Sequence, residues 1–211
     1  MMSIVCPTLT ATNVAEFNSQ VQELSPTVER VHLDIADGLF APKLLNIGKV
    51  RLPSVVTDIH VMYENPGRVI KKIISLKPHL VIIHYESDAN FNEIANSLKS
   101  NNIRFGIALL QQTDTSVLTR YKDILDHVLI FSGNLGFFGG HVDMGLVHKV
   151  DRIRNLNSNI EIGWDGGINL SNAEILADHH VDVLNVGGYI HKSKDPKQAY
   201  AQLVKSLEVL R

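Results

Sequence analysis

His32 and Asp34, in the run Arg30-Val-His-Leu-Asp-Ile-Ala-Asp-Gly38, could bind a metal together, because residues two apart on a strand point to the same side. Two later stretches add donors of the same kind. Thr57-Asp-Ile-His60-Val-Met62 and Glu161-Ile-Gly-Trp-Asp165-Gly-Gly-Ile168 each place a potential ligand near the end of a strand-like run. Two imidazoles and two carboxylates suit zinc, iron, manganese or cobalt and leave room for substrate oxygens. Taken singly, each is equally compatible with a polar residue satisfied by its neighbours. The set gains meaning only if the fold gathers these three runs at one place. His84 and Glu86, which close a fourth run, are expected either to orient a ligand from behind or to satisfy one another.

The elements that must do the gathering are legible as a pattern. Apolar runs of strand length alternate with amphipathic segments of helical length, the signature of repeated βα units on a parallel sheet. Strands are expected at Ile4 to Leu9, Arg30 to Ile35, Thr57 to Met62, His79 to His84, Arg104 to Leu110, His127 to Ser132, Ile160 to Trp164 and Val181 to Val186. Helical patterns run over Val14 to Leu24, Pro66 to Leu76, Phe91 to Ser100, Met144 to Leu156, Ser171 to His179 and Lys197 to Leu210. Asn13, Asp195-Pro196 and a Ser171/Glu174 capping box are the expected helix starts. Eight such units without a linker favour a single (β/α)8 TIM barrel domain over residues 1–211, with an open flavodoxin-like sheet as the alternative. Barrels of this type commonly run to about 250 residues. The loops must therefore be compact, and Leu39 to Pro53 is expected to hold little regular helix.

In a barrel, the strand ends that carry chemistry are the C-terminal ones. His32, Asp34, His60, His84, Glu86 and Asp165 all fall there. So do three glycine groups, Gly136-Phe-Phe-Gly139-Gly140, Gly166-Gly167 and Gly187-Gly188, which follow strands six, seven and eight. Glycine admits positive φ and close backbone approach, so these N–H groups could converge on a phosphate, helped by a short extra helix beginning near Gly188. Any single pair is ordinary turn chemistry; three successive loops on one side carry the reading. His127, His141, His148, His179, His180 and His191 have no comparable setting and are read as surface or loop residues.

The bulk composition points the same way. Twenty basic against 22 acidic residues in 211 give a net charge of −2, which offers no field for nucleic acid or an anionic membrane. A small molecule is the expected partner. No apolar run has spanning length and the N-terminus lacks a leader pattern, so a cytoplasmic protein is expected. Cys6 is alone and flanked by apolar residues, as a buried strand residue would be, and cannot form an internal disulfide.

Together, His32-Leu-Asp34-Ile-Ala-Asp37-Gly38, Asp58-Ile-His60-Val-Met62, His84-Tyr-Glu86, Gly136 to Gly140, Asp165-Gly-Gly167 and Ser193-Lys-Asp195-Pro196 resemble the ribulose-phosphate 3-epimerase family, in order and over essentially the whole chain. The resemblance implies a metal-dependent barrel isomerase that inverts C3 of a ketose phosphate, most readily converting D-ribulose 5-phosphate to D-xylulose 5-phosphate. It implies one divalent metal (Zn, Fe, Mn or Co) on His32, Asp34, His60 and Asp165, with Asp34 and Asp165 as acid and base through a metal-stabilised enediolate. His32 is then a ligand only. Sugar and phosphate contacts are implied at Thr8, His60, Met62, Gly136, Gly139, Gly140, Gly166, Gly167, Gly187 and Gly188. Self-association into a homo-oligomer is left open.

Departures from the family pattern cluster on the sugar and phosphate side. Thr8 stands for a serine and keeps its hydroxyl; Ala36 and Phe131 stand for methionines; Leu135 stands for a proline. An extra Phe lies near Phe138, Gly188 replaces a serine, Gln111-Gln112 replaces Pro-Gly, and the loop Lys43 to Asn46 is one residue longer. Three other readings follow: an epimerase for a hexulose phosphate such as D-allulose 6-phosphate, a lyase or decarboxylase on a similar barrel, and a non-catalytic sugar-phosphate-binding barrel. The second relies on an Asp-x-Lys-x-x-Asp pattern, and strand two holds no lysine.

Overall fold

The computed structural model describes residues 3–24, 27–137 and 140–208. Eight parallel strands close into a barrel in sequence order: β1 (Ile4–Thr10), β2 (Arg30–Ala36), β3 (Val56–Met62), β4 (Leu80–His84), β5 (Arg104–Leu109), β6 (His127–Phe131), β7 (Glu161–Asp165) and β8 (Val183–Val186). β1 pairs with β8, so no sheet edge is left open. The expected (β/α)8 barrel is what forms, with strand limits within two residues of expectation.

Burial on both faces explains the near-continuous apolar runs. On β4, Val81 and Ile83 pack outward into the main core, while Leu80 and Ile82 join Ala108 and Leu129 in a separate cluster. That second cluster plugs the barrel interior. Leu80, Ile82 and Leu129 are fully buried and contribute about 1.5–3 kcal/mol each by leaving water.

The outer ring consists of α1 (Val14–Leu24), α2 (Ile70–Leu76), α3 (Phe91–Lys99), α4 (His148–Leu156), α5 (Ala173–Asp178), α6 (Gly188–His191) and α7 (Pro196–Glu208). The Asn13 and Asp195 caps form, their carboxamide and carboxylate oxygens accepting from Glu16 N and Gln198 N. Two expected helices are split. A 3-10 turn at Pro66–Arg68 precedes α2, and another at Met144–Leu146, capped by Asp143, precedes α4. The Ser171/Glu174 capping box does not form: Ser171 donates its hydroxyl and amide to Asn169 Oδ1, and α5 starts only at Ala173. After β5, where no helix was expected, a 3-10 segment Thr115–Tyr121 is capped by Asp114. Only a single turn, Ile47–Lys49, interrupts the Leu39 to Pro53 stretch, in line with expectation. The proposed α7 residues Val209 and Leu210 lie outside the described residues. Among the described residues, no helix is long and apolar enough to cross a membrane.

The strand starts carry a charged floor. Arg30 donates to Asp58 at 2.7 Å and bidentately to Glu161 at 3.0 and 2.9 Å; Arg104 Nη1 and His127 Nδ1 reach the same carboxylate at 3.0 and 2.9 Å. This corrects the surface reading of His127, which is fully buried. Its ring fits because the flanking strands carry Gly106 and Gly163; a Cβ on Gly163 would stand 2.6 Å from His127 Nε2. His191 is corrected too: on α6 it is half-buried, with Nε2 3.0 Å from the Thr8 carbonyl oxygen. His141, His148, His179 and His180 are exposed as expected.

Candidate metal and catalytic site

The barrel register brings the four suspected ligands together. Asp34 and His60 are paired positions on β2 and β3, His32 lies two residues below Asp34, and Asp165 ends β7 on the far side of the mouth. His32 Nε2 lies 3.4 Å from Asp34 Oδ1 and 3.6 Å from Asp165 Oδ2; His60 Nδ1 lies 3.1 and 3.8 Å from the same two oxygens. Tetrahedral ligands about 2.1 Å from a shared centre stand about 3.4 Å apart. The donor set thus fits a single ion without rearrangement, and all four side chains are buried. Neither nitrogen of His32 makes a hydrogen bond among the described residues, a second sign that the ring is aimed at a ligand.

Electrostatics separates the two carboxylates. Burial, and then the charge of Asp34, push Asp165 up to about 7. Burial acts on Asp34 in the same direction, but the close approach of the His32 and His60 rings outweighs it and holds the carboxyl well below the usual range. Thr10 Oγ1 also donates to Asp34 Oδ2 at 2.7 Å. Burial, reinforced by the His84 and His32 charges, lowers His60 to about 3, which keeps it neutral as a ligand must be. Burial also disfavours a charged His32, yet the nearby Asp34 and Asp165 carboxylates leave its pKa raised. Two acidic groups at one mouth, driven in opposite directions, are suited to holding and giving up a proton in turn.

A supporting chain runs behind His60. His60 Nε2 lies 2.8 Å from His84 Nε2, and His84 Nδ1 lies 3.4 Å from Glu86 Oε2. Glu86 Oε1 accepts from Leu110 N at 3.1 Å and from the Thr113 hydroxyl. The same loop is fixed from below by Lys149, buried on α4, whose Nζ donates to the carbonyls of Leu110, Gln111 and Thr113. Phe131, where the resemblance leads one to expect methionine, packs on His60 and His84 with centroids 5.8 and 5.6 Å away. His84 and Glu86 therefore form a file ending on His60 rather than an isolated pair.

Beside the carboxylates opens a cavity of about 250 Å³, walled by Thr8, Thr10, Asp34, Met62, Phe131 and Asp165 on one side. Gly136, Gly140, Gly166, Gly167, Gly187 and Gly188 wall the other. His32 and His60 sit behind it, offering nitrogens only. Gly166 and Gly167 have φ of 108° and 77°, and a Cβ on either would run into the backbone of the loop after β6. Glycine is required there for the two loops to touch. Ser132 pins that loop, donating to His141 O and accepting from Asp143 N. The suspected contact Gly139, and Phe138 beside it, lie outside the described residues. Thr10, Asn169, Asn185, Tyr189 and Lys192 also line the cavity and were not singled out from the sequence. Thr10 alone left a trace there, as a second inward hydroxyl two residues after Thr8 on the same strand.

An eight-stranded parallel barrel with a metal-competent His/Asp cluster at the C-terminal mouth places the chain among the (β/α)8-barrel enzymes. The model of the ribulose-phosphate 3 epimerase family matches residues 4–191, and the chain belongs to that family. It is 29% identical to a ribulose-phosphate 3-epimerase of Helicobacter pylori over 92% of this chain and 94% of the relative. A Bacillus subtilis ribulose-phosphate 3-epimerase is 23% identical over 94% and 97%, and a chloroplastic Arabidopsis thaliana ribulose-5-phosphate-3-epimerase 27% over 97% and 76%. Among solved structures, 3-hexulose-6-phosphate synthase from Salmonella typhimurium superposes with TM-score 0.76 at 12% identity, covering all of both chains. A 3-keto-L-gulonate-6-phosphate decarboxylase from Vibrio cholerae superposes with TM-score 0.74 at 10% identity, again over the full length of both. At such identities the likeness is one of fold.

Proposed function

We propose that this chain, acting as one barrel domain over residues 1–211, is a metal-dependent 3-epimerase that interconverts D-ribulose 5-phosphate and D-xylulose 5-phosphate in the cytoplasm. The observation that carries the reading is the meeting of Asp34 and Asp165 with His32 and His60, at metal-ligand spacing, on the wall of one glycine-lined cavity. Membership of the epimerase family supports it.

Inverting a carbon beside a carbonyl requires a proton to leave from one face and another to arrive at the opposite face. One carboxylate alone would return the starting isomer. Asp34, from β2, and Asp165, from β7, approach the cavity from different strands and can serve the two faces. In one direction Asp34 takes the C3 proton from its face while Asp165 supplies its own to the other; in the reverse direction the two exchange roles. His32 Nε2, Asp34 Oδ1, His60 Nδ1 and Asp165 Oδ2 would hold zinc, iron, manganese or cobalt. A divalent ion bound there supplies Lewis acidity toward the carbonyl and adjacent hydroxyl oxygens. The glycine loops after β6, β7 and β8 offer backbone N–H groups to the phosphate, with the N-terminus of α6 behind Gly188.

The direct test is proton exchange. In deuterated water, the purified, metal-loaded protein should wash the C3 proton of D-ribulose 5-phosphate into solvent as it forms D-xylulose 5-phosphate; no exchange would sink the reading. Running the same assay on D-allulose 6-phosphate decides between pentulose and hexulose, because Gly188 and Leu135 change the phosphate loops.

The His60–His84–Glu86 file gives a further prediction. Removing an outer partner of a metal-bound histidine costs about 10- to 100-fold in metal affinity. Glu86→Gln should weaken cobalt binding by that factor, read by competition with a chelating dye, while the fold is kept. Unchanged affinity would mean that Glu86 serves only the Leu110 to Thr113 loop.

A further inference from the structure

Asn185 plays no part in the chemistry above. It sits on β8 in register with Asp165 of β7 and Cys6 of β1, is only 2% exposed and lines the cavity. Neither Oδ1 nor Nδ2 makes a hydrogen bond among the described residues. Leaving a buried carboxamide unpaired is costly, and an apolar residue of the same size could fill the wall without that cost. Thr8 Oγ1 on the adjoining strand, also buried and lining the cavity, is in the same condition. Two polar groups without protein partners, on neighbouring strands and facing one cavity, are what a polyol ligand would satisfy.

The position of Asn185 along its strand says which part of the ligand it meets. It is level with Asp165, and Gly187 and Gly188 follow two and three residues later on the same strand end. A ligand with its reacting carbon between Asp34 and Asp165 and its phosphate on the glycine loops passes over Asn185 on the way. For a ketose phosphate, the group on that stretch is the hydroxyl on the carbon between the reacting carbon and the phosphate-bearing carbon. A carboxamide carries a donor and an acceptor side by side, and a hydroxyl needs one of each.

We propose that Asn185 binds this C4 hydroxyl and sets the specificity of the enzyme for substrates that carry it; the proposal rests on the epimerase reading. The test compares kcat/KM for D-ribulose 5-phosphate and its 4-deoxy analogue in the unaltered protein, Asn185→Leu and Asn185→Ala. A site built around a hydroxyl rejects the analogue lacking it because its own polar groups are stranded. The unaltered protein should favour the hydroxylated substrate on the order of 10- to 100-fold. Both variants should lose that preference, with KM rising for the hydroxylated substrate and inhibition by inorganic phosphate unchanged. Each ratio is taken within one protein, so partial unfolding of a variant cancels. Discrimination retained in the variants, or absent from the unaltered protein while it turns over the pentulose phosphate, overturns the assignment alone. No turnover of either substrate by the unaltered, metal-loaded protein overturns the epimerase reading and this assignment with it.

Discussion

Asp165→Asn should lower turnover by roughly 10³-fold or more while the barrel stays folded, because under the proposed mechanism it removes one of two proton carriers and a metal ligand together. The substitution keeps the shape of the side chain. It also removes a carboxyl that burial, and then the charge of Asp34, push up to about 7. The metal-free variant should therefore melt no lower than the metal-free parent, the usual relation between a strained active site and stability. At saturating metal, the two epimers should behave differently. The substrate whose C3 hydrogen faces Asp34 should still exchange slowly with deuterated water, whereas the epimer whose hydrogen faces position 165 should not. Exchange lost equally from both would mean that Asp165 acts only through the metal, and near-normal turnover would remove it from the mechanism. Asp34→Asn should show the mirror pattern. The two effects should not add, since either carboxylate alone completes only half of an inversion.

What could be read in advance follows a physical boundary. Strand positions were legible because both faces of each strand are buried, so apolar runs such as Leu80 to Ile83 stand out from their surroundings. The donor set was legible because chemistry in this fold collects toward the C-terminal strand ends. Asp165 closes β7, and Asp34 and His60 stand two residues and His32 four before the ends of β2 and β3, not at the last strand position as expected. Residues whose environment is made by other strands were not. His127 looks like any histidine until Gly106 and Gly163, on strands remote in sequence, are seen to leave room for its ring. Lys149 looks like a surface cation on α4, yet its ammonium caps three carbonyls of the β5 loop. Local signals also lose to nearby competitors: Ser171 carries the right spacing for a capping box, but Asn169 takes its hydroxyl and amide first. The gathering of the donors at the mouth was thus readable from residue type and position, whereas the parts that hold them depend on register between strands.

The floor of the barrel shows how much that hidden register is worth. Glu161→Gln should cost about 3 kcal/mol at neutral pH, near the lower end for breaking a buried ion pair because its side chain is 21% exposed. For a chain of this size that is a fall in Tm of about 6–12 °C. The loss arises mainly from Arg30, whose side chain is 10% exposed and would keep only Asp58, and from His127, whose Nδ1 would face a neutral amide. Burial alone would raise the Glu161 pKa, but hydrogen bonds from His127 and Arg30 dominate and hold it well below the usual carboxylate range. A depressed folded pKa means stability that is present above the unfolded value, about 4.3, and is lost as pH falls toward the folded one. The gap in Tm between parent and variant should therefore be constant from pH 6 to 8 and close progressively below about pH 5. Because this layer lies at the strand starts, away from the mouth, kcat per folded molecule at 25 °C should stay within about twofold of the parent, since distant sites act nearly independently. A variant that melts normally, or one whose deficit grows toward acid, would show that the floor charges are solvated spectators rather than the clamp that sets strands β2, β3, β5, β6 and β7 in register beneath the site.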